Sequence, residues 1–341
     1  MELIAIPMKA ILLREYGSSD NFELSDVPIP AIGPGQIRIK IKAVSFNPVD
    51  FQIRKGLPES RSVTSKILGR DLSGIVDEVH EEVSDFKKGD EVFCYTCNLG
   101  SSGTYTEYIC VPSALVAKKP ASLTHEQAAS IPVAGITAWL ALAKTNPLKT
   151  KSIFIAGGAG GVGSFAIMFA KQSGLQNIVT TAGNEKSMSY LIKNFQLEKE
   201  RIINYNDQNF IKQAIAKNGG YFDIALDLVG GKMLSACCEL LAIDGNLASV
   251  TDPPDKNDFE ILFHKNASFH SIGANAYSLS ANQEYWKIYQ HILNNISALY
   301  DSNAVNKPPI TILGSLSVDT VKKAHELLEN SSVQGKLIMT C

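Results

Sequence analysis

The residues best suited to do chemistry are glycines. Residues 152–163 read SIFIAGGAGGVG, an apolar run that passes into Gly157, Gly158, Gly160, Gly161 and Gly163. Val162, Phe165, Ala166, Phe169 and Ala170 then follow helical spacing. Gly158-x-Gly160-x-x-Gly163 thus falls at a strand-to-helix turn, the setting of a phosphate cradle. In that reading the first glycine permits the tight turn, the second lets backbone approach a pyrophosphate, and the third lets the helix pack on the strand. The N–H groups at the helix start present a partial positive charge to the phosphates. Other reactive types are less organised. Cys94 and Cys97 stand in C-x-x-C spacing, but no second pair lies nearby to complete a structural zinc site. The histidines are scattered, and no two share the i, i+4 spacing of one helix face.

The elements that must hold the cradle follow from periodicity. Residues 152–158, 177–183, 201–205, 222–230, 245–250 and 268–274 read as six strands, with helical stretches at 162–174, 188–195, 209–219 and 232–242 between them. Strands alternating with helices mean a parallel sheet with crossover helices, and six strands make a full dinucleotide-binding sheet. The chain is therefore read as α/β. A Rossmann doubly wound six-stranded parallel sheet spans 131–277, and a β-rich domain spans 1–130 together with 278–341. In the β-rich part, 37–46 alternates Ile with Arg and Lys. Short strands at 73–79, 90–95 and 106–112 are separated by Pro34-Gly35, Lys88-Gly89-Asp90 and the Gly100–Gly103 loop. Such spacing suggests a compact barrel-like domain. A Trp/Tyr-rich helix at 284–296 and a short strand at 336–339 close the chain.

The second strand of the parallel sheet selects the dinucleotide. An NAD site usually carries Asp or Glu there, about 20 residues past the glycines, to bind the ribose 2′-hydroxyl. Here the strand ends Thr180-Thr181-Ala182-Gly183-Asn184, with no carboxylate; Glu185 comes later, with Lys186 beside it. A missing acid beside a lysine and an amide suits a 2′-phosphate, so NADP(H) is the expected cofactor.

The order of further motifs carries a resemblance. MKAILLREYG (8–17), NPVDFQIRKG (47–56), LGRDLSGIVDEV (68–79) with FKKGDEVF (86–93), AASIPVAGITAWLAL (128–142), AGGAGGVGSFAIMFAK (156–171), INY (203–205), DLVGG (227–231) and QGKLIM (334–339) run in sequence. Together they resemble the zinc-independent quinone oxidoreductases, the zeta-crystallin-like branch of the medium-chain dehydrogenase/reductase superfamily. The resemblance implies a GroES-like, β-barrel-type catalytic domain beside the Rossmann domain. It implies hydride transfer from NADPH to a quinone or a conjugated enone. It also assigns residues. Ala159, Gly160, Gly161, Val162 and Gly163 meet the pyrophosphate, and Gly183, Asn184, Lys186 and Tyr205 surround the adenosine 2′-phosphate. Ser249, Val250, Ile272, Gly273 and Ala274 approach the ribose and nicotinamide. Asn47 and Thr137 line the nicotinamide. Gln52 stands where many relatives have a tyrosine that contacts cofactor and substrate, so the proton donor is left open. Zinc-dependent relatives place Cys at Asn47 and a His-Glu pair at Arg70-Asp71, so no metal is expected. Asp227 reads as a structural hydrogen-bonder rather than a base. The alternatives are an enoyl-thioester reductase and a non-catalytic NADPH-binding sensor or structural protein.

Composition bounds the partners. The chain has 341 residues, 45% hydrophobic and 19% charged, with a formal net charge of −2. That balance gives no support for nucleic acid or an anionic membrane as partner. No apolar run approaches the ~20 residues of a membrane span. The N-terminus lacks a basic region and a small-residue cleavage site, so a cytoplasmic enzyme with reduced thiols is expected. The family implies a homodimer through an edge strand of the cofactor domain, for which residues 268–274 are apolar enough.

Overall fold

The computed structural model describes residues 7–97, 103–146, 151–331 and 333–341. The expected turn at Gly100–Gly103 falls outside these residues except for Gly103. The chain divides into two compact units, one of Met1–Val133, Asn275–Asn303 and Lys307–Cys341, the other of Ala134–Ala274 with Ala304–Asn306.

The first unit begins with an antiparallel ribbon, β1 (Pro7–Leu13) on β2 (Phe22–Pro28). Then come β3 (Gln36–Ser45), β4 (Asp71–Val79), β5 (Glu91–Tyr95), β6 (Tyr108–Pro112) and β7 (Val116–Lys118). The alternation of β3 is visible in its burial. Ile37, Ile39 and Ile41 are buried while Lys40 is exposed, as a half-buried antiparallel strand requires. These isoleucines share a core with Leu72, Val76, Val92, Ile109 and Val111.

The second unit carries β8 (Ser152–Ala156), β9 (Asn177–Ala182), β10 (Ile202–Asn204), β11 (Phe222–Asp227), β12 (Leu241–Ser249) and β13 (Ser268–Ser271). All are parallel, in the order β10-β9-β8-β11-β12-β13. The order reverses between β8 and β11, and ligands of open α/β sheets bind outside the carboxyl ends at such a point. Every residue of β8 is buried, as expected of a central strand covered by helices on both faces. Phe154, Val179, Phe222, Leu234, Cys237 and Leu247 form its core.

The chain then returns to the first unit with β14 (Ile310–Ser315) and β15 (Lys336–Thr340). Its sheet runs β14-β15-β3-β4-β5-β7, with β6 also pairing β3. Two elements of this return differ from the sequence reading. The aromatic segment starts as a 3-10 turn, Gln283–Trp286, before the helix Lys287–Asp301, and β14 was not anticipated.

Candidate active site

Parallel strands bring the predicted cofactor residues of the second unit to one edge. β8, β9, β10, β12 and β13 end at Ala156, Ala182, Asn204, Ser249 and Ser271. The loops that follow hold Ala159 to Gly163, Gly183 to Lys186, Tyr205, Val250 and Ile272 to Ala274. One glycine role differs from the expected assignment, which placed the tight turn at Gly158. The left-handed turn residue is Gly157, with φ +80°. Gly158 is required for a different reason: a Cβ there would lie 2.0 Å from Thr180 Oγ1. Gly163 packs the helix Gly161–Gln172 on the strand, since its Cβ would stand 2.3 Å from Gly157 O. Gly160 is the N-cap of that helix with φ −76°, and its Cβ would meet only Gly157 O, at 3.4 Å. Nothing in the protein demands glycine at that position, so its missing side chain leaves the turn open to a ligand.

At the end of β9, Asn184 caps the helix Glu185–Phe195 by accepting from Ser187 N at 2.9 Å. Lys186 is exposed in the first turn of that helix. Gly183 lies under the Tyr205 ring, whose hydroxyl oxygen is 2.3 Å from where a Cβ would be. Asn206, missed by the sequence reading, donates to Gly183 O at 2.9 Å and ties the two loops together. Asp227 is a hydrogen-bond hub, as expected. It accepts from Val229 N and Gly230 N through Oδ1, and from the hydroxyls of Ser249 and Thr251 through Oδ2 at 2.9 and 3.0 Å. Ile272 N donates to Ser249 O at 2.8 Å, which joins the loops after β12 and β13. Thr137 is buried in the helix Pro132–Thr145.

The first unit holds a polar centre where β3, β4 and β5 terminate beside β15, with Ile338 beside Ser45, Ser45 beside Asp71 and Asp71 beside Tyr95. Asn47 follows β3 and starts the helix Pro48–Arg54, and Pro48 favours that start. Its backbone N–H donates to Asp50 Oδ2 at 2.8 Å. Its side chain donates from Nδ2 to Asp71 Oδ2 at 2.9 Å and accepts at Oδ1 from Lys336 Nζ at 2.6 Å. Lys336 also donates to Phe46 O at 3.0 Å and stands 3.5 Å from Asp71 Oδ2. Asp71 Oδ1 accepts from Val133 N at 2.8 Å. Beside them Arg70 donates to the Tyr95 hydroxyl at 3.0 Å. Asn47, Asp50, Arg70, Asp71 and Lys336 are all 5% exposed or less, so water screens none of these charges. Gln52 lies further along the helix, half-buried, and is not among the side chains that meet Asn47.

Burial sets the electrostatics. It pushes Asp50 up to about 6, against the Asn47 N–H bond and the Arg70 charge. It pushes Asp71 up and Lys336 down, and the charge of each opposes the shift of the other. Burial opposes the Arg70 charge too, but Tyr95 and Asp50 outweigh it and hold the guanidinium charged. Burial also drives the Cys94 and Cys97 thiols upward, which keeps both protonated and poor nucleophiles. Lys336 and its contacts with Asn47 and Asp71 were not legible in the sequence. The only signal was a lysine at the head of the apolar run KLIM.

Two family models match the chain, the alcohol dehydrogenase GroES-like domain over residues 33–121 and the zinc-binding dehydrogenase domain over 197–339. The mitochondrial NAD(P)H oxidoreductase RTN4IP1 of Dictyostelium discoideum is 32% identical, over 97% of this chain and 99% of its own. The quinone oxidoreductase of Sus scrofa is 34% identical over 71% of this chain and 73% of its own. The structure of the quinone oxidoreductase from Coxiella burnetii superposes with a TM-score of 0.82 at 29% identity, covering 98% of this chain and all (100%) of the other. The residues present do not fit the zinc that the second model's description implies. Asn47 and Arg70 offer no thiolate or imidazole, and an ammonium already sits against the Asn47 and Asp71 oxygens. Among the described residues no group of three or more His, Cys, Asp and Glu is placed to hold a metal ion. Nor is any described helix long and apolar enough to cross a membrane.

Proposed function

Because this chain belongs to the medium-chain dehydrogenase/reductase superfamily, as a quinone oxidoreductase-like oxidoreductase with a nicotinamide cofactor, we propose that it uses NADPH, without zinc, to reduce quinones or conjugated enones. The observation that carries the reading is the Lys336 ammonium seated 2.6 Å from Asn47 Oδ1, at the position where metal-dependent relatives carry a zinc-binding Cys. A centre of this kind has no Lewis acid with which to polarise an alcohol, so it suits acceptors that are already electrophilic. The bound nicotinamide supplies a hydride to the quinone or to the β-carbon of the enone.

The chain's own residues bind and orient. Backbone N–H groups of Ala159 to Gly163 hold the pyrophosphate at the helix N-terminus. Gly183, Asn184, Lys186 and Tyr205 receive the 2′-phosphate, favoured by the absence of any acid at the end of β9. Ser249, Val250 and Ile272 to Ala274 hold the ribose and nicotinamide. Asn47, with Gln52 and Thr137 beside it in role, donates a hydrogen bond to the oxygen on which negative charge grows. Water or a nearby side chain supplies the proton. The working form is a cytoplasmic homodimer paired through β13, with small-molecule substrates and no nucleic-acid or membrane partner.

The test follows NADPH consumption with an ortho-quinone and a short enone in parallel, with a chelator present and NADH as control. Turnover with NADPH, unchanged by the chelator and at least ten-fold weaker with NADH, is expected. Lys186→Glu should raise KM for NADPH about ten-fold, one lost charge contact, and leave NADH unaffected. Loss of turnover on chelation, or equal use of NADH, refutes the reading.

A further inference from the structure

Asn47 is held from two sides by groups of opposite character. An ammonium only donates, so Lys336 must face the carboxamide oxygen. Asp71 already accepts from Val133 N through Oδ1, and through Oδ2 it takes the Asn47 Nδ2 hydrogen. Only one of the two orientations of the carboxamide satisfies both neighbours. The reverse would set NH2 against NH3+ and C=O against a carboxylate, with each group buried. Lys336 is itself anchored on Phe46 O at 3.0 Å and enters from β15, which pairs β3 through Ile338 and Ser45. Lys336 is therefore held by its own strand and by the residue that directly follows β3. Of the four hydrogen-bonding capacities of the carboxamide, one acceptor and one donor are committed inside the protein. A second Oδ1 lone pair and a second Nδ2 hydrogen remain, and that hydrogen is the donor Asn47 has left to offer.

We propose that Lys336 is a positioning residue: its ammonium, resident among Phe46 O, Asn47 Oδ1 and Asp71 Oδ2, fixes the Asn47 carboxamide so that its second Nδ2 hydrogen faces an acceptor, and it takes the place of a metal ion in doing so. The inference rests on the proposed reductase function for what that acceptor is, the substrate oxygen. The holding of Asn47 itself stands on the network alone.

Two measurements separate the layers. The first is steady-state kinetics with NADPH and whichever acceptor the wild type turns over. Lys336→Met should lower kcat on the order of ten- to a hundred-fold, the scale of a misaligned catalytic group, with KM for NADPH changed less than about two-fold. Asn47→Ala should cost the same, and the double variant should cost no more than either, because the two act as one unit. Lys336→Arg should recover part of the loss. Since Lys336→Met leaves Asp71 buried without its cation, Lys336→Met/Asp71→Asn, which removes both charges, is the variant that must fold. It should bind NADPH as the wild type does and still show the lowered kcat.

The second measurement is the side-chain amide resonance of Asn47, assigned by its loss in Asn47→Asp. It should be sharp and slow to exchange in the wild type, and shifted or broadened in Lys336→Met/Asp71→Asn. Full kcat in that double variant, or additive losses for Lys336 and Asn47, overturns the positioning role. An unmoved amide resonance overturns the holding of Asn47. If the wild type turns over no acceptor while the resonance moves as described, the substrate reading falls and the network stands.

Discussion

Asp50 is the residue in which burial and charge conflict most openly. Its carboxyl is wholly buried, faces Arg70, Asp71, Lys336 and Tyr105, and is pushed up to about 6. A raised carboxyl binds its proton more tightly in the folded than in the unfolded chain, so it makes stability fall as pH rises from the ordinary carboxylate range to about 6, and level off above. Asp50→Asn keeps an oxygen to accept the Asn47 N–H bond and removes the charge. Between pH 4 and 7 the wild type should lose on the order of 3 kcal/mol relative to that variant, since a carboxyl lifted from its ordinary value to about 6 loses ~1.4 kcal/mol for each pH unit between the two. Urea midpoints for both proteins across that range check it, and parallel curves would contradict it. Asn47 stands out in the sequence because it heads one short motif, whereas Asp50 lies in that motif without being singled out. Lys336 does not stand out, because its contact with Asn47 crosses 289 positions of sequence and no local pattern records such a meeting.

Between strand and helix, the glycine turn separates two demands that the sequence motif merges. A Cβ on Gly163 would collide with Gly157 O at 2.3 Å and Gly158 Cα at 2.6 Å, both backbone, so the helix must move. Gly163→Ala should cost about 1–3 kcal/mol and weaken NADPH binding together. Gly160→Ala meets nothing in the protein closer than 3.4 Å, so its melting temperature should hold while NADPH affinity falls at least ten-fold. Thermal melts beside cofactor-fluorescence titrations distinguish the pair. Equal stability losses in both would reject the assignment. The strands of the parallel sheet were plain in the sequence because burial on both faces writes a continuous apolar run. β2 and β14 were not, since FELSDVP and ITILGS keep exposed residues such as Leu24 and Ile312 and end in the unfavourable company of Pro and Gly. The turn falls on Gly157 rather than Gly158 because the motif counts glycines and says nothing of which one carries a positive φ.

The whole molecule is one unit interrupted by another. Ala134–Ala274 is continuous and has its own core, whereas the first unit needs β15 to cover β3 and β14 to cover β15. A fragment of residues 131–277 should therefore melt cooperatively and bind NADPH, while residues 1–130 alone should not fold. Calorimetry and the same fluorescence titration on each fragment decide it. A cooperative transition in 1–130 would contradict this dependence. The interruption was readable from the change of periodicity near residue 130 and the return of a strand at KLIM, but the partner of that strand was not.

The same arrangement has a consequence for the ribosome. Synthesis delivers Asn47, Arg70 and Asp71 early, then the whole of the second unit, and Lys336 only after it. A nascent chain thus carries Asp50 and Asp71 without their lysine for most of its translation, and burying them is costly until β15 arrives. The polar centre can therefore close only after the second unit has been synthesised. A premature stop before codon 336 would release a chain able to hold its cofactor but with Asn47 unanchored.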